Sequence, residues 1–502
     1  MGIHLPLLRR RLFSGTTFSP AALFAASEPG VWYDPSDLTT MFQDAAGTTP
    51  VTGVEQPVGL RLDKSKGLVL GSELVTNGDF ASATGWTVGT NWAIIGGAAT
   101  ATAAVYNTDN LDTSVTLTAG RTYKLTFSIS GYSAGSLRLD VVGTQSVITG
   151  SVTANGSYTY YFAAASGGAK TFRFTGSTGT AFTGSIDNIS VRELPGNHAF
   201  QTTDINRPVL SARVNRFVNT ATLATQNVTT VAANYTLRFE GTGSIALSGT
   251  ASGTYSAGSH TVTCTAGTLT ATVTGTVTNA DIRVANDGVG LPVYQAVTSG
   301  TEGSGSGGPG TITYDTTGFP LYLRYNGTNS TMQTAAIDFT STDKMSVFAG
   351  VRKLSDAAAM HFVERSASTF SNNGAFTLNN FNPQSGAVSS LYSFISKGTI
   401  YPITAPRASG YVAPITNVVT ALGDIPADSA ILRVNGSQVA SDNGDQGTEN
   451  YGNHPLYLGA RAGSSGWFNG RDYGLIVLGR TATATEIAST EAWLNARTKA
   501  YA

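Results

Sequence analysis

Residues 121–129 read Arg-Thr-Tyr-Lys-Leu-Thr-Phe-Ser-Ile, with Tyr123, Leu125, Phe127 and Ile129 separated by polar residues. A period of two puts every second side chain on one face of an extended strand, so this stretch predicts a half-buried β-strand. The same alternation runs through 136–142 (Ser-Leu-Arg-Leu-Asp-Val-Val) and 170–175 (Lys-Thr-Phe-Arg-Phe-Thr), and Gly, Asn and Ser separate the runs. Repeated short strands with such turns predict antiparallel sandwiches. Tyr235–Phe239, Thr268–Thr274, Leu321–Tyr325, Met345–Val351 and Ala430–Val434 extend the pattern along the chain. The fold class expected is all-β: several antiparallel β-sandwiches of jelly-roll type, nested or in tandem. One helix is expected over 483–498, opened by the capping box Thr483-Ala-Thr-Glu486, with Ile487, Thr490 and Leu494 on one face.

Composition agrees. Of 502 residues 12% are charged and 58 are glycine, which disfavours long helices and favours strands joined by tight turns. Five Trp, 20 Tyr and 22 Phe provide core material and argue against disorder. The formal net charge is -1 and no domain-wide basic face is visible, so nucleic acid is not an expected partner. No run is long and apolar enough for a membrane helix. Cys264 sits in an alternating Thr-Val-Thr-Cys-Thr run and reads as a small buried hydrophobe.

The expected organisation is an N-terminal arm (1–29), a first segment of a larger sandwich (30–72), a jelly roll (73–194), a return segment (195–213), an inserted β-sandwich (214–298), a Gly/Ser linker (299–310) and the main sandwich with its helix (311–502). In the arm, Leu7, Leu8 and Phe13 surround Arg9, Arg10 and Arg11. The arginines interrupt what would be the apolar core of a signal peptide, so the expectation is synthesis and retention in a host cytoplasm. Apolar side chains beside three guanidinium groups suit an anchor into a larger assembly.

Three stretches of the jelly roll, ELVTNGDF (73–80) with Trp86, AGRTYKLTFSIS (119–130) and SIDNISVREL (185–194), resemble in order the carbohydrate-binding modules found beside xylanases and glucanases. That resemblance implies sugar binding by exposed aromatic rings. The candidates are Trp86, Trp92, Tyr106, Tyr132, Tyr158 and Tyr160, with Trp92 and Tyr132 favoured because each follows a turn. It also implies a structural calcium where the first and last strands meet, with Asp79 and Asp187 at the matching positions and Ala81 where a further acidic ligand is usual. No other cofactor is expected.

AIDFTSTDKMSVFAGVRKLSD (336–356), ILRVNGSQVASD (431–442), HPLYLGAR (454–461), FNGRDYGLIVLGR (468–480) and the terminal TATEIASTEAWLNARTKAY resemble the concanavalin-like or laminin-G-like sandwich of phage tail and fibre proteins. The resemblance implies a bacteriophage virion protein (tail fibre, tail tip, head fibre or capsid decoration) joined to other virion proteins by its arm. It further implies contact with host-cell polysaccharide and homo-oligomers, of which trimers are common. Related glycoside hydrolases place Glu-x-Asp-x-x-Glu on one strand. Here Glu364, Asp424, Asp428, Asp442, Asp445 and Glu449 are scattered and are expected to be solvated, so no catalytic residues are assigned. The five histidines (His4, His198, His260, His361 and His454) lack zinc-motif spacing. The alternatives are a polysaccharide depolymerase and a bacterial surface lectin or adhesin.

Overall fold

The computed structural model describes residues 18–501 apart from 55, 213–214, 231, 285–293, 295–320, 382–387 and 403–404. The described strands form five antiparallel sheets, and the helix Ala484–Thr498 carries the capping box.

Two nine-stranded sheets enclose the largest core. The strand Asn469–Leu478 is the hub of one. Along one edge it pairs with Lys344–Lys353. Along the other it pairs, end to end, with Tyr322–Asn326 and with Gly30–Tyr33. Val209–Ser211 lies between Tyr322–Asn326 and Gln56–Pro57 in the same sheet. In the facing sheet Ala199–Phe200 lies between Leu60–Arg61 and Met332–Asp338. Strands from 30–61, 199–211 and 322–478 are therefore interleaved in both layers.

Buried polar groups join these distant segments. Arg61, fully buried, reaches from one sheet to Asp472 on the hub strand of the other at 2.5 Å and packs over the Tyr33 ring at 4.9 Å. The carboxylate of Asp63 accepts from the amides of Trp32, Ser65 and Asn197, and the Tyr33 hydroxyl donates to the Asn197 carbonyl. The helix packs on the outer face of the hub sheet, where Leu494 joins Trp32, Phe348, Val418 and Ile476.

Between the first and return segments, strands from Trp86 to Glu193 make two five-stranded sheets around a separate core, the jelly roll. The alternation of residues 121–129 becomes burial: Tyr123, Leu125, Phe127 and Ile129 are all inside. Tyr161 leaves that core to pack with Leu60, Leu62 and Leu194, and its amide donates to Ala46, which fastens the jelly roll to the larger sandwich.

Residues 226–284 form one five-stranded sheet, where a sandwich of separate layers was expected. Its 17-residue strand Ala233–Gly249 bends at the register shift between Phe239 and Ser244. Both halves then contribute to one core, with Tyr235, Leu237 and Phe239 on one side of the bend and Ile245 and Leu247 on the other. Gly241 permits the bend: its φ is +108°, and a Cβ there would run into the Thr276 carbonyl.

Removing one partner of a buried ion pair strands the other charge. Arg61→Met is expected to destabilise the larger sandwich by about 3–5 kcal/mol in urea melts, and Arg61→Met with Asp472→Leu is expected to recover most of the loss.

Candidate functional site

The outer face of the jelly-roll sheet that contains Leu137–Val141 carries a polar row. Asp140 pairs across the strands with Ser146 and Arg173, Arg173 with Asp112, and Asp112 with Thr87. Leu139, Val141, Phe172, Phe174 and Leu111 alternate with this row and point into the core. The amphipathic alternation that builds the core thus presents the charges outward.

At one end of the row an open cleft of about 390 Å³ is lined by Tyr106, Asn107, Arg138, Asp140, Ser146 and Arg173, among others. Its groups hold one another in place. Arg138 Nε donates to Asp140 at 2.7 Å and Nη2 to Ser146 at 2.6 Å, while the Ser146 hydroxyl donates to the second Asp140 oxygen at 2.6 Å. Arg173 grips Asp112 with both Nε and Nη2, at 3.1 and 2.8 Å, and reaches Asn107 Oδ1 at 3.3 Å. The hydrogen bonds to Asp140 and Asp112 raise the pKa of Arg138 and Arg173 above the ordinary arginine value.

Tyr106 is half-buried, with the Arg138 guanidinium 5.0 Å from its ring centre. Its loop is pinned from below. Buried Asp109 accepts from Asn91 Nδ2 and the Val105 amide, and the Thr175 hydroxyl bonds the carbonyls of Val105 and Asp109. The cleft therefore offers a half-buried ring and a set of charged donors and acceptors held by one another.

Of the aromatic candidates only Tyr106 lines this cleft. Trp92 is buried, 5% exposed, and this corrects the expectation of an exposed platform. It stacks on Phe182 at 6.1 Å and its indole N–H donates to the Asp109 carbonyl. The turn before it delivers the chain into a strand whose first residue already faces the core. Trp86 is buried too, packed on Phe80 at 4.8 Å and bonded to the Asn77 carbonyl. Tyr132 is half-buried against the core, its hydroxyl donating to Gly135. Tyr158 stacks on Phe127 at 5.3 Å, and Tyr160 is buried beside the same ring. Packing against Phe80, Phe127 and Phe182 claims five of these six rings before a ligand can. Arg138, Asp140 and Arg173 are not among the residues expected from the sequence to contact a ligand, although the Leu-Arg-Leu-Asp-Val alternation (137–141) marks the first two as outward-facing. Leu7, Leu8, Arg9, Arg10, Arg11 and Phe13 lie outside the described residues.

The groove where the first and last strands of the jelly roll meet is lined by Glu73, Asp79, Asn188 and Arg192, among others. The Glu73 carboxylate accepts from the amides of Leu74, Val75 and Val191, from the Ser190 hydroxyl and from Arg192 Nε. Asp187 accepts from the Asn188 amide and side chain, and Asp79 from the Ala81 amide. A calcium ion takes six to eight oxygen ligands. These carboxylates are already engaged by N–H and O–H donors, with a guanidinium among them. Among the described residues no cluster of three or more His, Cys, Asp or Glu is placed to hold a metal. The donor set does not fit the calcium that the resemblance implied.

Glu364, expected to be solvated, is fully buried on the strand His361–Arg365, 3.1 Å from His361 Nδ1. Burial pushes Glu364 up to about 7 and His361 down to about 3. From about pH 4.5 to 7 the folded chain keeps a proton on Glu364 that the unfolded chain has lost, so this group's contribution to stability falls as pH rises. From about pH 3 to 6.5 the unfolded chain holds one on His361 that the folded chain has released, so that contribution rises with pH. The slopes oppose each other between about 4.5 and 6.5. Glu364→Gln is therefore expected to gain stability over the native chain by about 1 kcal/mol per pH unit across that window, read from melting curves at a series of pH values.

Trp92→Ala, by contrast, removes a core ring and is expected to cost the jelly roll about 3–5 kcal/mol, measured by thermal melting.

No protein-family model matches this chain, and no curated protein matches it. Similar solved structures include the binding domain of botulinum neurotoxin DC in complex with SialylT, at 8% identity over 35% of this chain and 42% of that one, with a TM-score of 0.26. The botulinum neurotoxin type G receptor-binding domain gives 12% identity over 36% of this chain and 44% of that one, with a TM-score of 0.27. A Ruminococcus gnavus IT-sialidase CBM40 bound to alpha2,3 sialyllactose gives 14% identity over 32% of this chain and 97% of that one, with a TM-score of 0.25. The chain spans less than half of either neurotoxin chain.

Proposed function

We propose that this chain is a non-enzymatic structural component of a bacteriophage virion, displayed as part of a tail or head fibre, whose jelly roll contacts host-surface glycan. The observation that carries the glycan contact is the preorganised cleft around Tyr106. Sugar hydroxyls both donate and accept, and the coupled Arg138–Asp140–Ser146 and Arg173–Asp112 groups offer both roles side by side. A half-buried ring beside them matches the C–H face of a pyranose. Both carboxylates of the row are held by arginines, which suits recognition. Glycoside hydrolysis instead asks for one carboxyl that carries a proton to the leaving oxygen and a second across the scissile bond.

The virion assignment rests on the sequence resemblance of the larger sandwich to phage tail and fibre proteins and on the arginine-bearing arm. Assembly into homo-oligomers and attachment through the arm belong to the same proposal. A single shallow cleft binds weakly, and repetition on a particle raises avidity by about 10²–10⁴-fold for linked modules.

Two measurements test this. On arrays of host polysaccharide the full chain should bind, and Tyr106→Ala or Arg173→Gln should reduce that binding severalfold while the melting temperature moves little, because both side chains lie on the outer face. Undiminished binding by both variants would remove the cleft from the mechanism. Antibody labelling of purified particles should place the chain on the virion; its absence there, or release of reducing ends from the polysaccharide, would favour a bacterial surface lectin or adhesin, or a depolymerase, respectively.

A further inference from the structure

The strand Gly253–Cys264 ends the sheet of residues 226–284. It pairs with Ala233–Gly249 along one edge, and among the described residues no strand pairs with the other. An open edge presents a row of N–H and C=O groups to any strand that comes beside it, so proteins guard their edges with charge, proline, bulges, covering segments or short length. Among the described residues the other end strands of six residues or more are guarded in these ways. Gln145–Val152 is broken by two register shifts against its neighbour. Gly156–Ala163 is covered at Tyr161, whose amide donates to Ala46. Val277–Val284 carries Asp281 and Arg283, and residues 216–223 bond its backbone at Val277, Ala280 and Ile282. Ser437–Asp442 ends on an aspartate and has a register shift of its own.

Gly253–Cys264 is the exception. Its sequence contains no Asp, Glu, Lys, Arg or Pro. From Gly258 to Cys264 it pairs with Ala233–Phe239 at seven successive positions without a shift. Along that run Val262 and Cys264 are buried, and His260 lies beside the Phe239 and Tyr255 rings. Ser259, Thr261 and Thr263 alternate with them and are exposed.

We infer that this edge pairs with the same edge of a second copy of the chain, antiparallel, about a two-fold axis that runs normal to the sheet at Thr261. The side chains favour a copy as the partner. With Thr261 on the axis, Thr261 meets Thr261 and Ser259 meets Thr263 on the outer face, while His260 meets Val262 on the inner face. Each face meets its own kind, as the period of two requires. Cross-strand pairs of Thr and Ser stabilise a sheet, and no charge faces its like. The contact uses one edge on each copy, so it closes at two chains. The inference rests on the reading of the chain as a fibre subunit, which is what brings copies together, and it gives that assembly a surface.

Sedimentation equilibrium of the full chain should show two chains associating at high protein concentration and separating on dilution. Thr261→Lys sets like charges against each other on the axis and should weaken the dimer about tenfold. Thr261 is exposed, so the melting temperature should be unchanged. Thr261→Cys should cross-link into dimers under mild oxidation, because Cα atoms opposite one another in an antiparallel pair lie within disulfide reach. Ser437→Cys, on a guarded edge, should not. A chain that stays monomeric at its solubility limit, a trimer, a dimer indifferent to Thr261→Lys, or Thr261→Cys that cross-links no more than Ser437→Cys would overturn the inference. Labelling of particles tests the virion reading separately. A dimer absent from particles would keep this pairing and discard that reading, and a monomer present on particles would do the reverse.

Discussion

The ion pair between Arg61 and Asp472 spans 411 positions of sequence and the gap between two sheets. It sits in the largest core, beside Tyr33 and Tyr325, where burial raises both phenols far above their ordinary pKa. A charge in such a place is tolerated only with its partner in position. The pair thus ties the early strand Leu60–Arg61 to the hub strand, and the hub strand in turn carries Gly30–Tyr33 and Tyr322–Asn326 on one edge. The jelly roll and the bent sheet of residues 226–284 leave and re-enter the chain between those strands. Each does so where the larger sandwich has fastened its ends, by Asp63 and Tyr33 to Asn197 on one side and by Val209–Ser211 on the other.

The hub strand also shows how one alternation produces both the core and the chemistry. Asp472 points inward to Arg61, and its neighbour Arg471 points outward, over the Tyr322 ring. On the jelly roll, Leu139 and Phe172 point inward, and Asp140 and Arg173 point outward. Residues that differ by one position in sequence lie on opposite sides of a sheet, so a core and a charged surface are specified by the same short run. Across the jelly-roll strands the outward charges then alternate in sign and neutralise one another.

Much of this was legible one strand at a time. The period-two runs at 121–129 and 136–142 became strands with the expected faces buried, and Thr483 and Glu486 form the reciprocal cap of the one α-helix among the described residues. The sites were less legible, because a site depends on which strands become neighbours. Asp112, Asp140 and Arg173 are ordinary outward-facing residues in their own strands, and their alignment exists only in the register. Trp92 misled for a local reason: a residue just after a turn is exposed only if the strand it begins starts on its solvent side, and this one starts on Phe182. Glu364 misled because an acidic residue followed by Arg365 and Ser366 reads as solvated surface, whereas its strand is buried on both faces and places it against His361.

In the jelly-roll cleft each arginine contacts a carboxylate within hydrogen-bonding distance, so the field beyond the cleft is that of dipoles and falls off quickly. Charges beyond a Debye length of about 8 Å at physiological salt are screened in any case. The cleft therefore acts at contact range, through the geometry in which its strands hold Arg138, Asp140 and Arg173, and added salt should change that geometry little, because each charge already has its counter-charge on a neighbouring position of the sheet.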